Sequence, residues 1–456
     1  MKWRLMLLLL SIGAGGNCQQ LPEFKPLRYD ENYSILKNDS VSTFLRKLKY
    51  TALSANRNNY ISFGGEARLQ YLHYKNDLWS DAPEATHGEV LNRYLLHADV
   101  HVGKHFRTFA QLQSSLAFSM EESGPLDDNS LELHQGFIEV KSFLNGNGEL
   151  AARIGRQEFQ YGSQRLVSAR EGPNNRQSFD GLKLIYKKHD LQANLFYSHY
   201  VGTRKGFFND RPSGNTRFWG AYIVKNGIPV IGNIDLYCLG LLKRKTAFDE
   251  GVGRELRHTA GTRIWTTSND WKYDFEAAYQ FGKFGKYKIN AYTASINTSY
   301  TFRKIKWLPE IRFKTEVISG NKKYDDNYLQ TFNPLFPRGG YFGLAALIGP
   351  ANLIGIHPSV LFTPLAGIHV SLDYDKMWRY SIDDGIYAPG NLLTYTGRNT
   401  ADKHIGDQYT ITFEYALNRY FVFSTVFLWF HAGNYIKEVA PGKNVFFIGI
   451  TSGVRF

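Results

Sequence analysis

From about Tyr60 to its last residue the chain repeats a two-residue hydrophobic period, and this restricts its fold more than any other feature. In the first such segment Ile61, Phe63, Ala67, Leu69 and Tyr71 share one face, while Ser62, Glu66, Arg68 and Gln70 share the other. Tyr94, Leu96, Ala98, Val100 and Val102 stand likewise against Arg93, His97, Asp99 and His101. The pattern returns in Trp271, Tyr273, Phe275, Ala277, Tyr279 and Phe281 against Lys272, Asp274, Glu276 and Gln280. It returns again in Ile311, Phe313, Thr315 and Val317 against Arg312, Lys314 and Glu316. Successive side chains of an extended strand point to opposite sides, so each segment reads as a strand with one greasy and one charged face.

A soluble β-sandwich has the same period and would turn its apolar faces inward. Other signals point instead to a transmembrane antiparallel β-barrel. The polar faces carry several charges per strand, and aromatic residues recur near strand ends, as in the girdles that flank a barrel's apolar band. Tight turns such as Asn145 to Gly148 and Leu417 to Arg419 alternate with long polar loops such as Gly202 to Thr216. The chain ends on Phe446, Ile448, Ile450, Val454 and Phe456 at strict alternation, like the terminal strand of an outer-membrane barrel. Residues 59–456 therefore read as one all-β domain of about 16–18 strands, at ~22–24 residues per strand and loop. Barrels of that size enclose water.

Composition agrees. Aromatic residues make up 15% of the 456 residues, with 42 Gly and only 4 Met, which suits pleated strands and turns. The slightly polar mean hydropathy of −0.35 is compatible with a membrane protein whose strands show lipid only at every second residue. No later segment supplies the ~20 uninterrupted apolar residues of a membrane helix; Tyr341 to Ile356 is broken by Pro350 and Asn352. Residues 1–18 read as a secretory signal, with Lys2 and Arg4 before the apolar run Leu5 to Ile12 and small residues from Gly13 to Cys18. Lipidation of Cys18 is the alternative to its removal. Without Cys18, Cys238 is the only thiol and no internal disulfide can form. Residues 19–58 are less regular and read as a periplasmic lead-in that plugs or precedes the first strand. The net charge of +13 suits an acidic surface or an anionic solute, and export argues against nucleic acid.

The most unusual stretch is Arg153-Ile154-Gly155-Arg156-Gln157-Glu158, followed by Tyr161-Gly162, Arg165-Leu166, Arg170, Asn175-Arg176 and Ser178-Phe179-Asp180-Gly181. Five arginines there face two glutamates and one aspartate. Guanidinium forks at a constriction would concentrate an anionic solute; Arg–carboxylate pairs bracing the wall would need no solute at all. Together with Phe63-Gly64-Gly65-Glu66-Ala67-Arg68, Phe332-Asn333-Pro334-Leu335-Phe336-Pro337, Tyr341-Phe342-Gly343 and Asn352-Leu353, these motifs resemble the alginate export family of outer-membrane porins. The resemblance spans most of the mature chain. It implies a barrel of about 18 strands in the outer membrane of a Gram-negative bacterium, with an electropositive pore for an anionic polysaccharide such as alginate. It also implies that Arg68, Arg153, Arg156, Arg165, Arg170 and Arg176 line that pore. The partners expected are an anionic polysaccharide or other anionic solute, outer-membrane lipid and a periplasmic export partner.

Neither a cofactor nor catalysis is expected: the chain has no G-x-S-x-G elbow, phosphate loop or H-E-x-x-H helix. His97, Asp99 and His101 share one side of a strand and could hold a metal, but a polar lumen also collects such residues. The acidic loop tips Asp127-Asp128-Asn129 and Asp325-Asp326-Asn327 could bind calcium, or simply be solvated. The competing functional reading is an outer-membrane carbohydrate-binding or carbohydrate-processing barrel with its specificity in the external loops.

Overall fold

The computed structural model describes residues 21–39, 43–118, 123–267, 269–398 and 400–456. The secretory signal and Cys18 lie outside them. Eighteen long strands follow one another: β1 (Tyr60–Lys75), β2 (His87–Val102), β3 (Phe106–Phe118), β4 (Asn129–Leu144), β5 (Gly148–Gln157), β6 (Phe179–Lys188), β7 (Leu191–Gly202), β8 (Arg211–Ile228), β9 (Gly232–Phe248), β10 (Gly251–Thr266), β11 (Trp271–Phe284), β12 (Tyr287–Thr301), β13 (Glu310–Ile318), β14 (Leu353–Leu365), β15 (Ile368–Arg379), β16 (His404–Ala416), β17 (Phe421–Ala432) and β18 (Val445–Arg455). Each pairs antiparallel with the next, and β18 returns to β1 through Glu66↔Arg455 to Lys75↔Phe446. The shortest, β13, has 9 residues, enough to cross a bilayer when tilted.

Closure leaves no strand edge in a medium that cannot solvate one. At the seam the backbones of Gly65 and Phe456 exchange hydrogen bonds of 2.9 and 3.0 Å. A Cβ on Gly65 would stand 2.6 Å from the Phe456 ring, and one on Gly64 2.5 Å from Lys49 Nζ. The glycine pair in the first motif thus makes room for the last residue of the chain and for the lead-in.

Alternation sorts the side chains as the sequence predicts. Leu69, Tyr71, Tyr94, Leu96, Ile311 and Phe313 are exposed on the outer wall, whereas Glu66, Gln70, Arg93, His97 and Glu316 are buried inside. Among the described residues no helix is long and apolar enough to cross a membrane, and this outer belt is the lipid-facing surface. The chain is a closed β-barrel with an apolar outer wall. Both ends of the barrel chain and the short turns 103–105, 145–147 and 417–420 lie at one rim, the periplasmic one. The opposite rim carries the long connections 158–178, 319–352 and 380–403.

Two features differ from the expected plan. The polar loop read as Gly202 to Thr216 is shorter, because β8 starts at Arg211 and pairs back through Gly202↔Arg211; Asn215 and Lys245 then exchange side-chain-to-backbone hydrogen bonds of 2.8 and 3.1 Å. The inner wall is also not uniformly polar. Phe179, Phe196 and Phe218 point inward and pack on Phe159 and Phe336 at centroid distances of 4.9 to 6.5 Å. Loops 158–178 and 319–352 fold into the lumen and need an apolar bed there. The lead-in enters from the other rim: Leu27 and Tyr29 are buried against Phe109, Phe137 and Ala169, and Arg28 donates to Gly65 O at 3.0 Å and to Phe456 O at 2.8 Å.

Ile154 is 62% exposed on the outer wall beside Ile138 and Leu182. Ile154→Arg is expected to lower the stability of the vesicle-inserted barrel by about 2–4 kcal/mol in urea titration, as for a charge near the bilayer midplane. Val230→Arg, at a periplasmic turn, should change it by less than about 0.5 kcal/mol. Equal effects at the two positions would refute the placement of the belt.

Candidate functional site

The two inward loops form one body inside the barrel. Val167 and Phe336 pair in parallel, with Phe336 N donating to Leu166 O at 2.9 Å and Ser168 N to Phe336 O at 3.0 Å. Asn333 fixes the second loop to the wall, its amide donating to both oxygens of Glu255 at 3.0 and 3.1 Å. Asn352 closes the same loop by donating to the carbonyls of Ser381, Asp384 and Gly385. The motifs around 332–337 and 352 thus act as structural clasps. Asp384 latches loop 380–403 onto loop 319–352: its carboxylate accepts from Asn321 N at 2.8 Å and from the hydroxyls of Thr331 and Tyr387 at 2.6 and 2.7 Å.

Around this body the lumen is a sequence of paired charges. One chain of contacts runs from Arg455 to Glu66 (2.9 Å), Arg93 (2.6 Å), Glu171 (2.6 Å), Arg176 (2.6 Å), Glu158 (2.9 Å) and His134 (2.7 Å). It ties the closing seam to loop 158–178. A second joins Asp99, Arg107, Glu139 and Arg153 where the lead-in enters, with Arg107 Nε donating to Asp99 at 2.7 Å and Arg153 Nε to Glu139 at 2.7 Å. The Arg153 guanidinium also lies 4.2 Å from the Tyr29 ring and 4.3 Å from Phe137. A third joins Arg165 and Lys314 to Glu316 at 3.2 and 3.0 Å.

Cavities remain between these clusters. Near the periplasmic rim, one of about 630 Å³ is lined by six Lys or Arg and four carboxylates, and one of about 720 Å³, beside Arg68 and Arg93, by four of each. Further in, a cavity of about 230 Å³ faces Arg165, Lys314 and Arg338, with Asp274 its one carboxylate among the described residues. It shares Asp274 and Asn297 with a neighbouring cavity of about 260 Å³ that holds Arg263, Lys272, Arg312 and Glu310 and opens toward the periplasmic side. On the external side, a cavity of about 390 Å³ between the three long loops is lined by Arg170 and Lys243 and, among the described residues, by no carboxylate.

The six arginines singled out in the sequence are therefore dispersed. Arg68 and Arg176 belong to the seam cluster, Arg68 donating to Glu171 O at 2.9 Å and Asn174 Oδ1 at 3.1 Å. Arg153 belongs to the lead-in cluster, Arg165 to the inner cavity and Arg170 to the external one. Arg156 does not line the lumen: it alternates onto the side of Leu150 and Ile154 and grips Asp180 at 2.8 Å on the outer wall near the external rim. Bracing by Arg–carboxylate pairs accounts for Arg153, Arg156, Arg165 and Arg176. Sequence reasoning missed Arg107, Lys183, Lys243, Arg257 and Arg338 as lumen residues. All but Arg338 sit at inward parity on strands, which is the signal that could have found them. Of the metal candidates, Asp99 is taken by Arg107 and by His101 at 3.2 Å, and His101 stacks on Tyr60. Asp127 Oδ1 accepts from Asn174 N at 2.9 Å, and Asp325 Oδ1 from the Tyr287 hydroxyl at 3.4 Å.

Comparison with known proteins follows this geometry. The alginate export family model matches residues 59–445. No curated protein matches the chain. Among solved structures it is similar to Pseudomonas aeruginosa OpdK with vanillate (TM-score 0.57, 9% identity, covering 87% of this chain and 98% of that one). It is also similar to P. aeruginosa OccK2 in complex with glucuronate (0.54, 12%, 87% and 98%) and to Acinetobacter baumannii OccAB2 (0.56, 11%, 87% and 98%). At these identities the likeness establishes the barrel fold.

Two outcomes test the loop body. Glu158→Ala leaves the buried His134 without its partner and Arg176 with Glu171 alone, and should cost about 3 kcal/mol and raise amide exchange across 158–178; unchanged exchange would contradict the clasp. Burial pushes the Asp384 carboxyl up to about 6. A carboxyl raised above its unfolded value of about 3.9 favours the folded latch below that value and loses the advantage as pH rises through 6, about 3 kcal/mol in all. Proteolysis of loop 380–403 should accordingly increase between pH 4 and about 7 in the wild type and lose that pH dependence in Asp384→Asn.

Proposed function

We propose, because this chain belongs to the alginate export family, that it is a passive channel for short acidic saccharides, moving carboxylate-bearing solutes down their gradient without changing them. One observation carries this reading: the inner cavity gathers Arg165, Lys314 and Arg338 around Asp274, and because Glu316 behind it pairs with Arg165 and Lys314, Arg338 is left as an unpaired cation among the described residues. Such an excess of fixed cations in a narrow aqueous space favours anions by direct attraction and by focusing of the field. Arg338 makes no ion pair among the described residues, and it lies on the loop segment that separates the external cavity from the inner one. From there Arg165 and Lys314, paired with Glu316, then Arg312 and Lys272, which share Glu310, and Arg263, paired with Asp274, line the way toward the periplasmic rim.

Volumes of about 230 and 260 Å³ in the inner cavities favour a single uronate or short oligomer over a threaded polymer. The glucuronate complex of the similar barrel OccK2 is in keeping with that class. The carboxylates of the lumen are largely occupied by arginines, which supports transport over hydrolysis. The lead-in and the short turns are the surface a periplasmic export partner would meet.

Planar-bilayer recording tests the proposal. Wild-type channels should pass anions in preference to cations, and glucuronate oligomers should reduce the current. Arg165→Gln removes a cation and releases Glu276 and Glu316, so the permeability ratio should move toward cations; Arg338→Gln should move it in the same direction by less. A cation-selective wild type, or a closed bilayer accompanied by saccharide cleavage, would overturn the reading.

A further inference from the structure

The external cavity has a composition that the saccharide path does not explain. Its walls are Leu126, Leu335, Phe336, Leu392 and several prolines, and the Tyr200 ring lies nearly parallel to Phe336 at 5.7 Å and 14°. Its charged side chains are both cations, and neither Arg170 nor Lys243 makes an ion pair among the described residues. Lys243 stands opposite Glu255 in the sheet, but that carboxylate is engaged by Arg257 at 2.5 Å and by Asn333. Arg170 Nε and Nη2 are shut off from solvent and have no acceptor among the described residues. Its backbone is held at φ 58°, a conformation uncommon outside glycine, with Ser168 Oγ accepting its N–H at 3.0 Å. Arg170 and Lys243 thus line an apolar cavity as two unpaired cations, one of them on a strained backbone, which is what a preorganised anion site looks like.

We propose that this cavity is a binding site for a monocarboxylate borne on a flat apolar ring, with Arg170 and Lys243 receiving the carboxylate and the Tyr200–Phe336 wall the ring. At about 390 Å³ it lies within the range of small-molecule sites, roughly 300–1,000 Å³. The apolar lining selects against the hydroxyl-rich body of a uronate, so this ligand class is distinct from the solute of the channel. The site is formed by loops 158–178, 319–352 and 380–403 together, so an occupant stabilises their inward packing.

Calorimetric titration of the detergent-solubilised full barrel with benzoate tests this without requiring conduction. Benzoate should bind at least about tenfold more tightly than benzamide, which lacks the charge, and than acetate, which lacks the ring. Glucuronate should bind this site more weakly than benzoate. Arg170→Asn, chosen because asparagine tolerates the left-handed backbone, should reduce benzoate affinity about tenfold or more, and Lys243→Gln should reduce it by a smaller factor. Heat-modified mobility on gels reports whether each variant remains a folded barrel; should Arg170→Asn misfold, Arg170→Lys with the same three probes takes its place. Absence of benzoate binding, equal binding of benzoate and acetate, or full affinity in the folded Arg170 variant would each overturn the site. Bilayer conductance without benzoate tests the channel alone, so the two readings fail separately.

Discussion

Everything in this molecule depends on the backbone hydrogen bonding being complete inside lipid. A bilayer offers no partner for a free N–H or C=O, so the sheet has to close, and it does so where β18 returns to β1. The seam is also where three parts of the chain meet: Phe456 lies over Gly65, Arg28 of the lead-in caps both backbones, and Glu66 links Arg455 to Arg93. Closure, plugging and the first lumen cluster share the same few residues, and the motif Phe63 to Arg68 is placed to serve all three.

Inside that wall, charge does structural work before it does anything for a solute. Buried ion pairs add little net stability over apolar packing, but removing one partner is costly, so a ladder of them penalises any other placement of the loops. Arg176 and Glu158 act in this way on loop 158–178, and Asn333 with Glu255 on loop 319–352. The apolar bed of Phe179, Phe196 and Phe218 supplies the burial that the polar clasps cannot. What remains available for recognition is the set of cations that this bracing leaves unmatched, Arg170, Lys243 and Arg338 chief among them.

The barrel was legible in the sequence because lipid on one side and water on the other impose a strict period of two, as Tyr94 and Arg93 show in a single pair of neighbours. The site was less so. Arg153 and Arg156 are three residues apart, an odd spacing, so they cannot share a face of β5; reading the arginines as one cluster hid that parity. Arg165, Arg170 and Arg338 sit on connections whose inward fold depends on distant partners such as Glu316, Phe336 and Gln164, and no local pattern encodes it. Phe196, between the lipid-facing Leu195 and Tyr197, breaks the apolar–polar alternation because it faces inward onto Phe159 of loop 158–178, a contact that no local pattern announces.

The division between a greasy outside and an aqueous inside can be read with thiol chemistry. Cys238 faces outward from β9, six residues from its periplasmic start, and Asn297 on β12 lines the inner cavities. For vesicle-inserted protein lacking residues 1–18, Cys238 should resist a charged methanethiosulfonate reagent, whereas a cysteine at Asn297 in a Cys238→Ser background should react from the aqueous phase. Ready modification of Cys238 together with protection at 297 would mean that the apolar faces pack inward, and would contradict this account.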